Sequence, residues 1–246
     1  LGQNILQTAK KSGAPKYATR NVAGFVSYSL IDLPLDVRVS YIRPGYEIRA
    51  LPLFALTLYA DEDHNNGLQV ESASLKFSRH ATPSDESAKL FVENLISQFQ
   101  NGKWKRYLAE LCPAVTGRSS YLNASGEPDR IGCPIDPDYR LSEAEWSTVM
   151  SKTQTYQWIG DGILATVKIR RSDDIRGITY SIRLEFEDYL IKMRRIEATT
   201  ARELAEGDTK GWDSTARRRD DIAAEKSRIK QLEANAIKRG DRVISR

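Results

Sequence analysis

In Ile178-Thr-Tyr-Ser-Ile-Arg-Leu-Glu-Phe-Glu187, apolar and polar residues alternate without a break. Successive strand side chains point to opposite faces. Ile178, Tyr180, Ile182, Leu184 and Phe186 therefore share one side, and Thr179, Ser181, Arg183, Glu185 and Glu187 share the other. One dry and one wet face is the pattern of an antiparallel strand laid over a core. The alternation also runs through residues 163–171, with Asp173-Asp-Ile-Arg-Gly177 between the two runs. Upstream, Gly160-Asp-Gly162 reads as a tight turn out of Tyr156-Gln-Trp158.

The first third of the chain is also strand-like. Val37-Arg-Val-Ser-Tyr41 alternates, as does Leu68-Gln-Val-Glu-Ser-Ala-Ser-Leu-Lys-Phe77. A run over residues 46–59 is interrupted at Pro52, which favours an edge or a bulge there. Asn66-Gly67 supplies the positive φ angles of a type I′ turn, so a hairpin with a slightly long tip is expected to join the last two runs. Two helices separate the strand groups. Thr82-Pro-Ser-Asp85 has the order of a helix start, and Ala88, Phe91, Val92, Leu95, Ile96 and Phe99 then fall on one face. Asn101-Gly102 predicts its end, with the glycine as a left-handed cap. Ser142-Glu-Ala-Glu145 is a capping box leading to Trp146, Val149 and Met150.

Strands, helix, loop, helix, strands and a helical tail give an α+β class: a mostly antiparallel sheet packed with two helices, then a charged C-terminal helical extension. The expected organisation is a flexible lead-in over residues 1–16, a sheet domain over 17–195 and a tail over 196–246. In the tail, helix formers run over residues 201–206 and 214–238, with Gly207 and Gly211 as the break. Ile222, Ile229 and Ala236 recur every seven residues with Leu232 at a d-like position, a short coiled-coil signal weakened by Glu225.

Cys112 and Cys133 are the only cysteines. They bracket an irregular stretch containing Gly117, Gly126, Pro128 and Gly132. A disulfide closing loop 112–133 is the expectation, and with it maturation in an oxidising compartment. Two free thiols buried as small apolar side chains are the competing reading. The disulfide expectation makes the expected location periplasmic or secreted; the chain starts at Leu1, and a signal or membrane anchor could have preceded it.

Among 246 residues, 37 basic and 33 acidic side chains leave a net charge of +4. The basic residues are interspersed with acids, which speaks against nucleic acid as a partner. No apolar run approaches the length of a membrane-spanning helix. Asp61, Asp63 and Asn65 have the 1, 3, 5 spacing of a calcium loop. Glycine at the seventh position and Ser72 at the twelfth break that pattern, so a solvated hairpin tip is preferred and no metal or cofactor is expected. His64 and His80 have no nucleophile motif beside them, and Ser119-Ser120 lacks a glycine-flanked elbow. Glu185 and Glu187 pair on one face, beside Arg183, as an ordinary polar strand surface would place them. Lys103-Trp-Lys-Arg-Tyr107 interleaves base and aromatic. It suits phosphate stacking, peripheral contact with a membrane surface, or an amphipathic turn whose aromatics are buried, and the last is favoured. Asn123-Ala-Ser125 fits a glycosylation acceptor.

These observations carry no catalytic signature. They predict a non-enzymatic extracytoplasmic protein of the bacterial periplasm or envelope that binds another protein or acts as a scaffold, in the manner of a secretion-system accessory or toxin-neutralising protein. Partner contacts are assigned to Trp104, Lys105, Arg106, Ile222, Ile229 and Leu232, and self-association to the C-terminal helix. The alternative is a hydrolase or glycan-active enzyme whose site assembles from distant residues.

Overall fold

The computed structural model describes residues 1–13, 16–34, 36–62, 67–77, 84–128, 132–175 and 177–245. The fold is α+β. Strands β1 (Ala18–Val22), β2 (Phe25–Leu30), β3 (Arg38–Tyr41), β4 (Ile48–Pro52), β5 (Ala55–Asp61), β6 (Ser72–Lys76), β7 (Lys105–Arg106), β8 (Gln154–Gly160), β9 (Ile163–Asp174) and β10 (Gly177–Asp188) form two antiparallel sheets. The large sheet has the order β1-β2-β5-β6-β10-β9-β8-β7, and β3 with β4 makes the small one. Among the described residues the helices are α1 (Ile5–Lys11), α2 (Asp85–Asn101), α3 (Glu143–Met150), α4 (Tyr189–Thr209) and α5 (Ser214–Lys238). By contact density the chain forms two compact units. The first joins Leu1–Arg106 to Leu141–Asp188, and the second joins Tyr107–Arg140 to Tyr189–Arg246.

The twelve residues of β9 pair in continuous register with the twelve of β10, Ile163 opposite Asp188 and Asp174 opposite Gly177. Tyr180, Ile182, Leu184 and Phe186 are buried, while Ser181 and Arg183 are exposed, so the alternation in the sequence is the alternation of the sheet. Ala165, Val167 and Ile169 lie across from Phe186, Leu184 and Ile182, and Tyr156 and Trp158 of β8 extend the same dry face. The expected interruption at Pro52 is where the chain leaves the small sheet, and β5 and β6 form the expected hairpin in the large one. Asp161 (φ 49°) and Gly162 (φ 75°) make the β8–β9 turn, with both central residues left-handed.

Helix α2 is fixed to the dry face near both ends. Near its start, Asp85 Oδ1 accepts from Tyr180 Oη at 2.6 Å and from Arg171 Nε at 3.1 Å. Trp146 of α3 donates to the same Tyr180 oxygen at 2.9 Å. Burial, then the hydrogen bond to Asp85, push the Tyr180 phenol well above its usual pKa. Near the other end, Phe99 stacks on Trp158 with ring centroids 4.1 Å apart. Tyr41, Tyr46, Trp104 and Phe186 complete the aromatic centre around that stack.

Several local expectations are corrected. Helix α2 begins at Asp85, capped by Ser84 Oγ, which accepts from Ser87 N at 3.1 Å. Thr82 and Pro83 lie outside the described residues. Gly102 ends that helix in extended backbone (φ −94°) rather than left-handed. Its value is space, because an added Cβ would sit 3.1 Å from Trp104 Cδ1 and 3.2 Å from Gly45 O. The capping box of α3 is formed as expected, Ser142 and Glu145 each accepting from the other's backbone. Within residues 1–16, α1 is an ordered helix of about two turns, because Asn4 Oδ1 accepts from the amides of Leu6 and Gln7. Its Ile5 is buried with Leu58, Ala60 and Val70. In the tail, α4 starts directly at Tyr189 and runs through Gly207, so that glycine is not a helix break.

Gly160 lies under the Tyr46 ring, where a Cβ would meet Tyr46 Cε1 at 2.5 Å and Trp104 Cε3 at 2.8 Å. Gly160→Ala is expected to cost about 1–3 kcal/mol through overpacking. In urea denaturation the Gly160→Ala/Tyr46→Leu double variant should lie closer to wild type than the sum of the two single changes.

Candidate functional site

The residues singled out in the sequence do not converge. Trp104 is buried in the aromatic centre and donates Nε1 to Tyr46 O at 3.3 Å, which is the amphipathic-turn arrangement. Lys105 beside it is exposed, Arg106 is half-buried, and both pair with β8. Ile229 and Leu232 are buried within the chain and Ile222 is half-buried, so the heptad positions nearest the C-terminus are already covered. Asp61 closes β5 and is buried, while Asp63, His64, Asn65 and His80 lie outside the described residues. No three His, Cys, Asp or Glu side chains among the described residues are grouped to hold a metal ion. Glu185 is neutralised by Lys168 Nζ at 2.7 Å and Arg183 Nη1 at 3.5 Å. No helix among the described residues is long and apolar enough to cross a membrane.

Cys112 and Cys133 are joined in a disulfide, with Cα atoms 5.6 Å apart. The loop it closes holds a short 3-10 helix, Gly117–Ser120, whose amides are taken by two distant carboxylates. Asp136 Oδ2 accepts from Gly117 N at 2.7 Å, and Asp241 Oδ2 accepts from Ser119 N at 2.8 Å. The Ser120 hydroxyl donates to Gly117 O at 2.8 Å and accepts from Asp136 N at 2.9 Å, bonds that commit it to the loop backbone rather than to nucleophilic chemistry. The C-terminal residues close over this loop. Thr116 N donates to Arg242 O and Ile244 N to Ala114 O, each at 2.8 Å, around a Val115–Val243 bridge. Glu233 of α5 accepts from Ala114 N at 3.0 Å, and Arg239 donates to the carbonyls of Asn123 and Ala124 at 3.3 and 3.2 Å. The expected glycosylation acceptor Asn123 uses its own Oδ1 to accept from Glu127 N at 2.9 Å.

Helices α4 and α5 form a hairpin in this second unit. Gly207 permits its turn, since a Cβ there would lie 1.9 Å from Ser214 Oγ and 2.8 Å from Ser214 Cβ. Asp213 stands at the N-cap of α5 with φ 50° and makes no side-chain cap. Asp208 does so instead, accepting from Thr215 N at 3.1 Å and Thr215 Oγ1 at 2.5 Å. Those bonds, the hydroxyl's first, hold the Asp208 carboxyl below its usual pKa. Arg228 grips Glu225 with two bonds, 2.6 and 2.9 Å, and lowers that carboxyl as well, which makes the acid at the weak heptad position an ion-paired one. At the base, Tyr107 and Tyr189 meet edge to face at 5.7 Å. Burial and their hydrogen bond raise the Tyr107 phenol to about 12.

The hairpin leaves large apolar side chains in water: Leu190 (61% exposed), Ile196 (46%) and, in the turn, Trp212 (55%). Lys210 Nζ lies 4.9 Å from the centre of the Trp212 ring. Trp212 is the residue that periodicity misses, because a tryptophan between Gly211 and Asp213 belongs to no stripe. Its signal is its type, a large aromatic in a charged turn. Chemically this arrangement offers contact area and a cation beside an aromatic face, which suits recognition rather than bond-making.

The Asp208 cap sets a pH dependence. A depressed folded-state pKa contributes stability that is present above the unfolded value, near 3.8, and is lost as pH falls through the folded value. In a carbon-detected NMR titration Asp208 should titrate below that value, and Thr215→Val should return it upward. The loop gives a second expectation. Cys112→Ser/Cys133→Ser should lower the stability of the second unit by about 3 kcal/mol on the loop-entropy model. Amide exchange at Thr116 and Ile244 should speed up before any change in β9 or β10.

No protein-family model, curated protein or solved structure matches this chain.

Proposed function

We propose that this is a non-enzymatic binding or scaffold protein of an oxidising compartment outside the cytoplasm, the periplasm or cell envelope, and that its α4–α5 hairpin engages another protein. The observation that carries this reading is the exposed Trp212, held in the turn of a helical hairpin with Leu190 and Ile196 also in water. Tryptophan is enriched among the residues that dominate binding energy, because it buries a large area at low entropic cost. A turn serving solubility alone has no use for it. The Asp208 cap and the close approach at Gly207 fix that turn, so the indole is presented by ordered backbone and little ordering cost remains to be met on binding. The disulfide supports the compartment, since such bonds persist where thiols are not kept reduced.

The test is photocrosslinking in cells of the native source, with benzoylphenylalanine replacing Trp212 and, as control, half-buried Lys168 of β9, whose side chain is 44% exposed. A discrete adduct from position 212 and none from position 168 is expected. Equal patterns from both positions, or no adduct from 212, would overturn the reading. An adduct at twice the chain's mass would make the partner a second copy.

A further inference from the structure

We propose that the free edge of β1 takes up an extended acidic segment of a partner protein as an added antiparallel strand. This rests on the binding-protein reading and names a second surface with its partner chemistry. Strand β1 is the terminal strand of the large sheet, and all five of its residues are exposed. It pairs with β2 in unbroken register from Ala18–Ser29 to Val22–Phe25, so no bulge interrupts the edge over that length. It contains no proline and no bulge, two of the devices that block strand addition. The opposite edge, β7, is two residues long.

Charge selects the occupant. Residues 1–31 hold four cations, Lys10, Lys11, Lys16 and Arg20, and no acid; the first is Asp32. None of the four has an ion-pair partner among the described residues, and Lys16 and Arg20 are exposed. The residues opposite Arg20 and Ala18 are Ser27 and Ser29, so no carboxylate faces these cations from the neighbouring strand. Glu62 accepts instead from Asn21, one residue along and therefore on the other face. Period two places Lys16, Ala18, Arg20 and Val22 on a single face, with the two cations about 13 Å apart. An antiparallel strand laid beside β1 meets that face in reverse order. It fits best with an apolar residue, an acid, a small residue and a second acid at alternate positions. Val22 (50% exposed) and Phe25 (46%), paired at the end of the β1–β2 hairpin, receive the apolar residue. Main-chain hydrogen bonds supply the attraction and the side-chain pairs the selectivity. A second copy fits worse, because it would set Lys16 and Arg20 along an edge carrying the same two charges.

The probe is a fluorescein-labelled peptide, Phe-Thr-Glu-Thr-Ala-Thr-Glu-Thr, against its counterpart with lysine for both glutamates. Binding is read by anisotropy at low and physiological salt and by amide exchange of the whole chain. The glutamate peptide is expected to bind at least tenfold more tightly and to slow alternate amides within residues 18–22. Lys16→Glu/Arg20→Glu should reverse the preference and leave the melting temperature unchanged. Trp212→Ala should leave peptide binding as it is, which separates failure here from failure at the hairpin. Equal binding of the two peptides, protection elsewhere in the chain, displacement by polyphosphate without strand protection, or no binding would each overturn the proposal.

Discussion

Tyr180 can reach Asp85 only because β10 is held against β9 in one register. A shift of a single residue would turn Tyr180, Ile182, Leu184 and Phe186 to water and bring Ser181, Arg183 and Glu185 inside. The long, unbroken β9–β10 ladder guards against that slip, and the left-handed pair Asp161-Gly162 sets the neighbouring β8–β9 register. With the register set, one dry face receives α2 near both ends, through Asp85 at its start and the Phe99–Trp158 stack further along. α3 joins through the Trp146 hydrogen bond to the same phenol. Each of these contacts presupposes the sheet beneath it.

The two units are stabilised differently. In the first, an extended apolar face is covered, and buried aliphatic side chains packed around an aromatic centre stabilise it. In the second, little apolar surface is buried in the helices, and Gly207 is the one fully buried residue of α4. Its loop is held by a covalent crosslink, two carboxylates on helix amides and a short bridge to the C-terminal residues. A region with a small core depends on such specific bonds. It can leave Leu190, Ile196 and Trp212 outside because its order does not require their burial.

Where a face is buried, the sequence carries its imprint. The alternation of β9 and β10, the apolar stripe of α2 and the Ser142–Glu145 capping box are each local patterns with a local physical cause. β1 leaves no such imprint, since neither of its faces is covered and nothing selects for alternation. The start of α4 is hidden because Tyr189-Leu-Ile-Lys-Met continues the apolar character of the strand before it. The closure of residues 241–244 over residues 114–119 could not be read at all, because two backbone bonds and one aspartate spacing have no periodic signature. The same holds for Trp212, whose exposure follows from where the hairpin turn places it rather than from any repeat.

Thr116 and Arg242 are 126 positions apart, yet each satisfies the other's backbone. During synthesis the loop's last partners, residues 241–244, leave the ribosome long after both cysteines. Oxidation can therefore fasten the ends of the loop while its carbonyls and amides are still served by water. The crosslink then acts as a temporary splint for a segment awaiting its final neighbours. Shortening the chain before residue 242 removes those neighbours and leaves Thr116 N and Ala114 O to water, while the crosslink stays.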